Sequence, residues 1–272
     1  MIKDKIKENA VLHSIARAIK KSAMKGWIGL NQIFKPQYRV EIEKFKNIHK
    51  GERCFIVATG PSLTLEDLSK IKDEYSFSVN SIVNLYDKTD YRPTYYLIQD
   101  GNVERRLRQK LETVKHGTSF MGVGDVAGFK NVISGGQARR YKDDFIFYNL
   151  SVAYHMFDMC YADASKMENR FSPDCATQIY DGCTVTYSAI QMACYMGFEE
   201  IYLLGCDTNF AGHVDDDPTA IDVNSDPAYF SIKAYEMAKK YADEHNIKIY
   251  NATRGGMLEV FPRVNFDEVV RK

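Results

Sequence analysis

The stretch Arg53–Leu63, RCFIVATGPSL, decides how the rest of the chain is read. Cys54 to Ala58 is an apolar run of strand length, and it breaks at Gly60-Pro61-Ser62. A buried strand that empties into a glycine turn and then a helix is how parallel α/β sheets bring backbone amides to a phosphate. Gly60 lets the chain turn tightly and approach a ligand. Pro61 suits the entry to a turn or a first helical turn. Ser62 can cap the helix expected near Leu65, or contact phosphate through its hydroxyl. Thr59 belongs to the same turn. The pattern is neither the dinucleotide fingerprint nor the P-loop.

Outward from this point, apolar strand-like runs alternate with helical ones. Strands are expected at Cys54–Ala58, Phe77–Val79, Tyr95–Ile98, Ser119–Met121, Phe145–Tyr148, Ile201–Leu204 and Ile247–Tyr250. Helices are expected at Leu65–Ile71, Val103–Val114, Thr186–Met196 and Tyr229–His245. That alternation predicts an α/β, Rossmann-like domain over 51–272, mainly parallel, with helices on both faces of the sheet. Residues near 150–180 show no clear period and read as an insertion or lid. Ligands of such sheets bind beyond the carboxyl ends of the strands, so the chemistry is expected there.

Polar residues do stand at those ends. Asn80 closes the second strand, and Gln99 and Asp100 close the third. Their amides and carboxylate suit recognition of a base, ribose or sugar hydroxyl. Thr184 and Thr186 stand where a helix begins, and their hydroxyls can donate to a phosphate at its positive end. The strand Ile201–Leu204 empties into Gly205-Cys206-Asp207. The loop that follows carries His213, and histidine, whose ordinary pKa lies near neutral, suits removal of a proton from an attacking hydroxyl, with Asp207 as the fallback base. Asp215, Asp216 and Asp217 can hold a divalent cation or form a solvated acidic loop. Arg254, after the last strand, can contact a carboxylate or phosphate.

The chain has 272 residues, 45% of them hydrophobic, which supports a substantial core. Its formal net charge is zero, which argues against a nucleic-acid binder. The charge is uneven, however. Residues 1–50 carry 12 Lys/Arg against 4 Asp/Glu, a net of +8, and the remainder carries 24 against 32. Residues 1–50 therefore read as a basic helical N-terminal extension, in which 9–34 has helical spacing and Pro36 to Lys50 is a connector. Such a helix can make peripheral contact with an anionic membrane through 9–35, or pack on the main domain or a sister subunit. Six cysteines without CxxC spacing read as buried thiols of a reducing compartment. No apolar run reaches the roughly 20 residues of a membrane span. The expectation is a cytoplasmic protein, with attachment at the inner face of the membrane through its basic helix.

FIVATGPSL, GFEEIYLLGCD and NIKIYNAT resemble two related groups. One is the bacterial lipooligosaccharide sialyltransferases. The other is the 6-hydroxymethylpterin diphosphokinase-like family, which also holds flagellin-glycosylation accessory proteins. The likeness runs from about Arg53 to Val264 and is patchy between Leu107 and Tyr180. It implies a Rossmann-like domain that binds a nucleotide-activated donor. Gly60, Pro61, Ser62 and Asn80 match donor-contacting positions of the sialyltransferases, and Thr184-Val185-Thr186 stands where those enzymes carry a threonine-serine-glycine turn. Their first glycine is Ala58 here. The arginine before their turn is replaced by a region holding Asp181-Gly182, and Asn224-Ser225-Asp226 occupies the place of their catalytic histidine. The first expectation is a glycosyltransferase of surface-glycan assembly, taking a CMP- or UDP-sugar, sialic-acid-like sugars included, to a glycan acceptor without a firm cofactor. The alternatives are ATP-dependent diphosphate transfer to a pterin, which would use Mg²⁺, and a non-catalytic nucleotide-binding module.

Overall fold

The computed structural model describes residues 36–114, 117–124, 132–152, 169–208 and 227–271, with separate positions between 11 and 30. His213, Asp215–Asp217, Cys160 and residues 153–168 of the expected lid lie outside the described residues. Eight strands follow in chain order: β1 (Arg53–Val57), β2 (Ser76–Val79), β3 (Tyr95–Ile98), β4 (Thr118–Val123), β5 (Ile146–Ser151), β6 (Ile179–Tyr180), β7 (Glu200–Leu204) and β8 (Lys248–Asn251). They form one sheet in the order β6-β5-β4-β3-β2-β1-β7-β8. Every neighbouring pair is parallel. The α/β, Rossmann-like class expected from the alternation is the class observed. The two-residue β6, too short to carry a period, is an addition to the expected strands.

Period-two alternation places successive residues of each strand on opposite faces, and each face has its own core. Cys54, Ile56, Phe77, Leu97, Phe120, Ile201 and Leu203 join one core with helix α5 (Val185–Met196) and helix α6 (Pro227–Glu244). Phe55, Val57, Tyr96, Ile98, Met121, Tyr202 and Leu204 join the other. That second core takes in α2 (Leu65–Lys70), the 3₁₀ turn Asn80–Leu85, α3 (Gly101–Thr113), α4 (Gly135–Ala138) and α7 (Phe266–Val269). The α5 sequence, VTYSAIQMACYM, is apolar or small on nearly every side, and nearly all of it is buried. It stops at Gly197, whose φ of +94° allows the left-handed turn into β7. By contrast α3 is amphipathic, with Leu107 and Leu111 buried and Arg105 and Arg106 exposed.

The segment expected to be a connector folds as helix α1 (Pro36–Glu43) and packs on the sheet. Pro36 takes the first helical position, where its missing N–H is no loss. Ile42 is wholly buried, and the Tyr38 ring lies 5.4 Å from that of Phe147. His49 follows, stacked at 4.4 Å on Phe198 and hydrogen-bonded to Tyr95 and Glu52 at 2.5 Å each. Among the described residues, no helix is long and apolar enough to cross a membrane. Cys54, Cys175 and Cys206 are buried free thiols, and burial pushes their pKa values up, which keeps them unreactive.

Candidate functional site

Because all the strands are parallel, their carboxyl ends share one edge of the sheet. The strand order reverses direction at β1, which has β2 on one side and β7 on the other. In sheets of this kind the crevice at such a reversal is the ligand site. The turn after β1 fills it tightly. The Gly60 amide donates to the Gly205 carbonyl at 2.9 Å. A Cβ at position 60 would lie 2.0 Å from Asp207 Oδ2 and 2.5 Å from the Gly205 carbonyl oxygen. Close approach between these two loops therefore requires Gly60. Asp207 is 4% exposed, and its Oδ2 accepts from the Ser62 hydroxyl at 2.8 Å and the Ser62 amide at 3.3 Å.

Ser62 does not cap α2. Thr64 does, in a reciprocal box with Asp67: the Thr64 hydroxyl accepts from the Asp67 amide at 3.1 Å and Asp67 Oδ2 accepts from the Thr64 amide at 3.0 Å. The amides of Ala58 and Leu63 donate to the carbonyls of Leu204 and Gly60. The amides of Ala58, Gly60, Ser62 and Leu63 and the Ser62 hydroxyl are thus engaged within the protein, and a phosphate here would take the donors of Ser62 from Asp207. Arg254 is engaged as well. Its guanidinium donates to both Asp67 oxygens at 2.7 Å and lies over the Phe266 ring.

Asn80 presents a different state. It opens the 3₁₀ turn at φ +46°, left-handed backbone that a non-glycine residue adopts at a cost. Its carbonyl accepts from the Tyr96 hydroxyl at 2.7 Å. Its side-chain Oδ1 is buried and accepts no hydrogen bond. Beside it, the Ser81 hydroxyl donates to Thr59 Oγ1 at 3.4 Å and ties the ends of β1 and β2 together.

Gln99, by contrast, is locked into a buried row. Gly122 and Tyr148 are register partners on β4 and β5, and Gln99 stands one residue beyond the Ile98–Met121 pair. Gly122 leaves the gap in which the two side chains meet, since a Cβ there would lie 2.8 Å from Gln99 Cβ and from the Tyr148 ring. Gln99 Oε1 accepts from the Tyr148 hydroxyl at 2.9 Å and the Ser188 hydroxyl at 2.7 Å, and its Nε2 donates to Asp181 Oδ1 at 2.9 Å. Asp100 caps α3 by accepting from the amides of Asn102 and Val103. Burial pushes its carboxyl pKa up, against those two hydrogen bonds. Thr184 caps α5 by accepting from the Thr186 amide at 3.3 Å, and both threonine hydroxyls meet the buried Tyr235 hydroxyl.

The structure therefore gathers Thr59, Gly60, Pro61, Ser62, Asn80 and Asp207 around the reversal at β1. Gln99, Asp100, Thr184 and Thr186 stand further along the same edge, and the Arg254 side chain turns to α2 and α7. Tyr148, Ser188 and Asp181 are polar partners that sequence reading passed over. Gly122, one residue past the expected strand Ser119–Met121 and inside the observed β4, was the available signal. Among the described residues, no group of three or more His, Cys, Asp and Glu side chains is arranged to hold a metal ion.

The family model described as 6-hydroxymethylpterin diphosphokinase MptE-like matches residues 30–213. No curated protein matches the sequence. Among solved structures, the chain is similar to the sialyltransferase CstII from Campylobacter jejuni, determined with cytidine-5'-monophosphate. Identity is 17% and the TM-score 0.43, over 78% of this chain and 84% of that one.

Proposed function

The chain belongs to the 6-hydroxymethylpterin diphosphokinase MptE-like family, and from that premise we propose a transferase that seats a nucleotide-activated sugar where the sheet reverses at β1. In this reading a glycan hydroxyl attacks the anomeric carbon of the sugar. The bond from that carbon to the donor phosphate oxygen breaks, the electron pair leaves with the nucleotide, and the hydroxyl proton passes to His213 or Asp207. Thr59 and Ser62 serve the donor at the reversal, and Thr184 and Thr186 serve it from further along the same edge.

Asn80 carries the proposal. A side-chain oxygen that is buried and without a partner costs free energy, and so does its left-handed backbone. Both costs occur together at the ligand edge of the sheet, where a donor group of a base or ribose would satisfy the oxygen. The test is a thermal-shift panel of CMP, UDP, GDP and ATP, with and without Mg²⁺, on the wild type and Asn80→Gly. Glycine accepts the left-handed backbone and removes only the side chain. A ligand at a hundred times its Kd stabilises by about 2.7 kcal/mol, enough for a clear shift. Cytidine or uridine nucleotides should raise the melting temperature of the wild type and do so far less in the variant. No response to any nucleotide would sink the proposal.

The family match itself favours a second reading, diphosphate transfer from ATP to a pterin. Stabilisation by ATP with Mg²⁺ alone would select it.

A further inference from the structure

We propose that the N-terminal helical segment docks the protein on an anionic phospholipid surface. Every described position between 11 and 30 is helical. Val11, Ile15 and Ile19 are spaced four apart, so they lie along one side of a helix. They are 67%, 51% and 64% exposed, and Leu12 and Leu30 are exposed beside them in sequence. Five of the ten exposed large apolar side chains among the described residues fall in this short stretch, which makes it a patch and not scatter.

Charge identifies the occupant. Between 9 and 35 the sequence carries five basic residues, Arg17, Lys20, Lys21, Lys25 and Lys35, and no Asp or Glu. A segment whose described aliphatic side chains are exposed and whose sequence carries charge of one sign matches a surface that is both hydrocarbon and anionic. The headgroup region of a bilayer containing acidic lipid is such a surface.

The attachment point leaves the crevice clear. The segment joins the domain at Pro36, the first residue of α1. Gln37, Tyr38 and Glu41 of α1 line a cavity of about 630 Å³ together with Thr118 and Ile146, the residues at which β4 and β5 begin. The tether thus leaves from the amino-terminal end of the sheet, opposite the edge that carries Gly60, Asn80 and Asp207. Docking is therefore independent of nucleotide binding, and the inference stands or falls apart from the proposed reaction.

The test is flotation of the full chain with vesicles of phosphatidylcholine alone, or with about a quarter phosphatidylglycerol. The wild type should bind the acidic vesicles at least about tenfold better, and should be released by high salt as the charges are screened. Ile15→Asp combined with Ile19→Asp should lower binding at least about tenfold with an unchanged melting temperature, because both side chains are exposed in the folded chain. A second variant, Lys20→Glu with Lys21→Glu, should abolish the preference for acidic lipid. Equal binding to both vesicles, no binding to either, or undiminished binding by the isoleucine variant would each overturn the proposal. Conversion of a dimer to a monomer by the isoleucine variant, with no vesicle binding by the wild type, would assign the face to a second copy instead.

Discussion

Two amides end neighbouring parallel strands, and they are in opposite states. Gln99, after β3, is 6% exposed, and both ends of its amide are engaged by Asp181, Tyr148 and Ser188. Asn80, after β2, holds a left-handed backbone, and its buried Oδ1 has no partner. Sequence position gives the two residues one reading, since each is a polar residue at the ligand edge. Saturation separates them. A buried polar network with every member satisfied fixes a structure. Strain together with an unfilled acceptor, at the ligand edge of the sheet, is what the proposed nucleotide site accounts for at Asn80.

The largest effect should come from closing the gap beneath Gln99. Gly122→Val puts branched carbon where a single Cβ already falls 2.8 Å from Gln99 and Tyr148. Overpacking of this kind should cost roughly 3 kcal/mol, read as a lowered urea midpoint. Next comes Gln99→Leu. It keeps the volume but leaves the Tyr148 and Ser188 hydroxyls and Asp181 without their shared partner, for a loss of about 2 kcal/mol. If Gln99→Leu were neutral in stability yet abolished nucleotide binding, Gln99 would be a ligand contact and the contrast with Asn80 would fail.

A charged counterpart of Gln99 sharpens the same point. Glu104 on α3 is fully buried and accepts hydrogen bonds from Arg108, Gln137 and Tyr141. Burial pushes its carboxyl pKa up, but these partners outweigh burial and hold it below the ordinary glutamate value of 4.5. A depressed folded value means that the ionised form stabilises the fold above the unfolded value. That contribution disappears as pH falls through the folded value. The melting temperature of Glu104→Gln should therefore lie below that of the wild type at neutral pH, and the gap should narrow on acidification. A gap that does not change with pH would show that Glu104 acts through shape alone.

How much of this was legible in the sequence depends on the range of the interaction involved. The strands of RCFIV and EIYLL, and the three long helices α3, α5 and α6, were readable because periodicity and apolar runs are local properties of the chain. The turn at Gly60 was readable as a turn, but its cause was not. Asp207 lies far along the chain, and only folding brings its carboxylate to the place a Gly60 side chain would occupy. Ser62 offered itself as a cap of α2 or as a phosphate contact, and it does not cap, because Thr64 forms a reciprocal box with Asp67 and leaves Ser62 to Asp207. The Thr64-x-x-Asp67 spacing was a local signal for that box. Arg254 was read as a ligand contact, yet its partner Asp67 belongs to that same box, and no local pattern announces the pair. Helix α1 was hidden because Pro36 and a charged run resemble a connector, while its burial rests on two residues, Tyr38 and Ile42.

The smallest stability effect belongs to the residue on which the functional reading depends. Asn80→Gly removes a side chain from a backbone at φ +46°, where asparagine is strained and glycine is not. Relief of that strain contributes about 1 kcal/mol, and the greater freedom of glycine in the unfolded chain offsets it by about 0.5–1 kcal/mol. The two terms nearly cancel, so the urea midpoint should move little, in contrast to Gln99→Leu on the adjacent strand. A fall comparable to that of Gln99→Leu would mean that Asn80 is held by contacts of the same kind, and that both amides are architecture. An unchanged midpoint with nucleotide binding lost would mean that folding does not need the Asn80 side chain and that ligand binding does, because only the bound ligand offers its Oδ1 a partner.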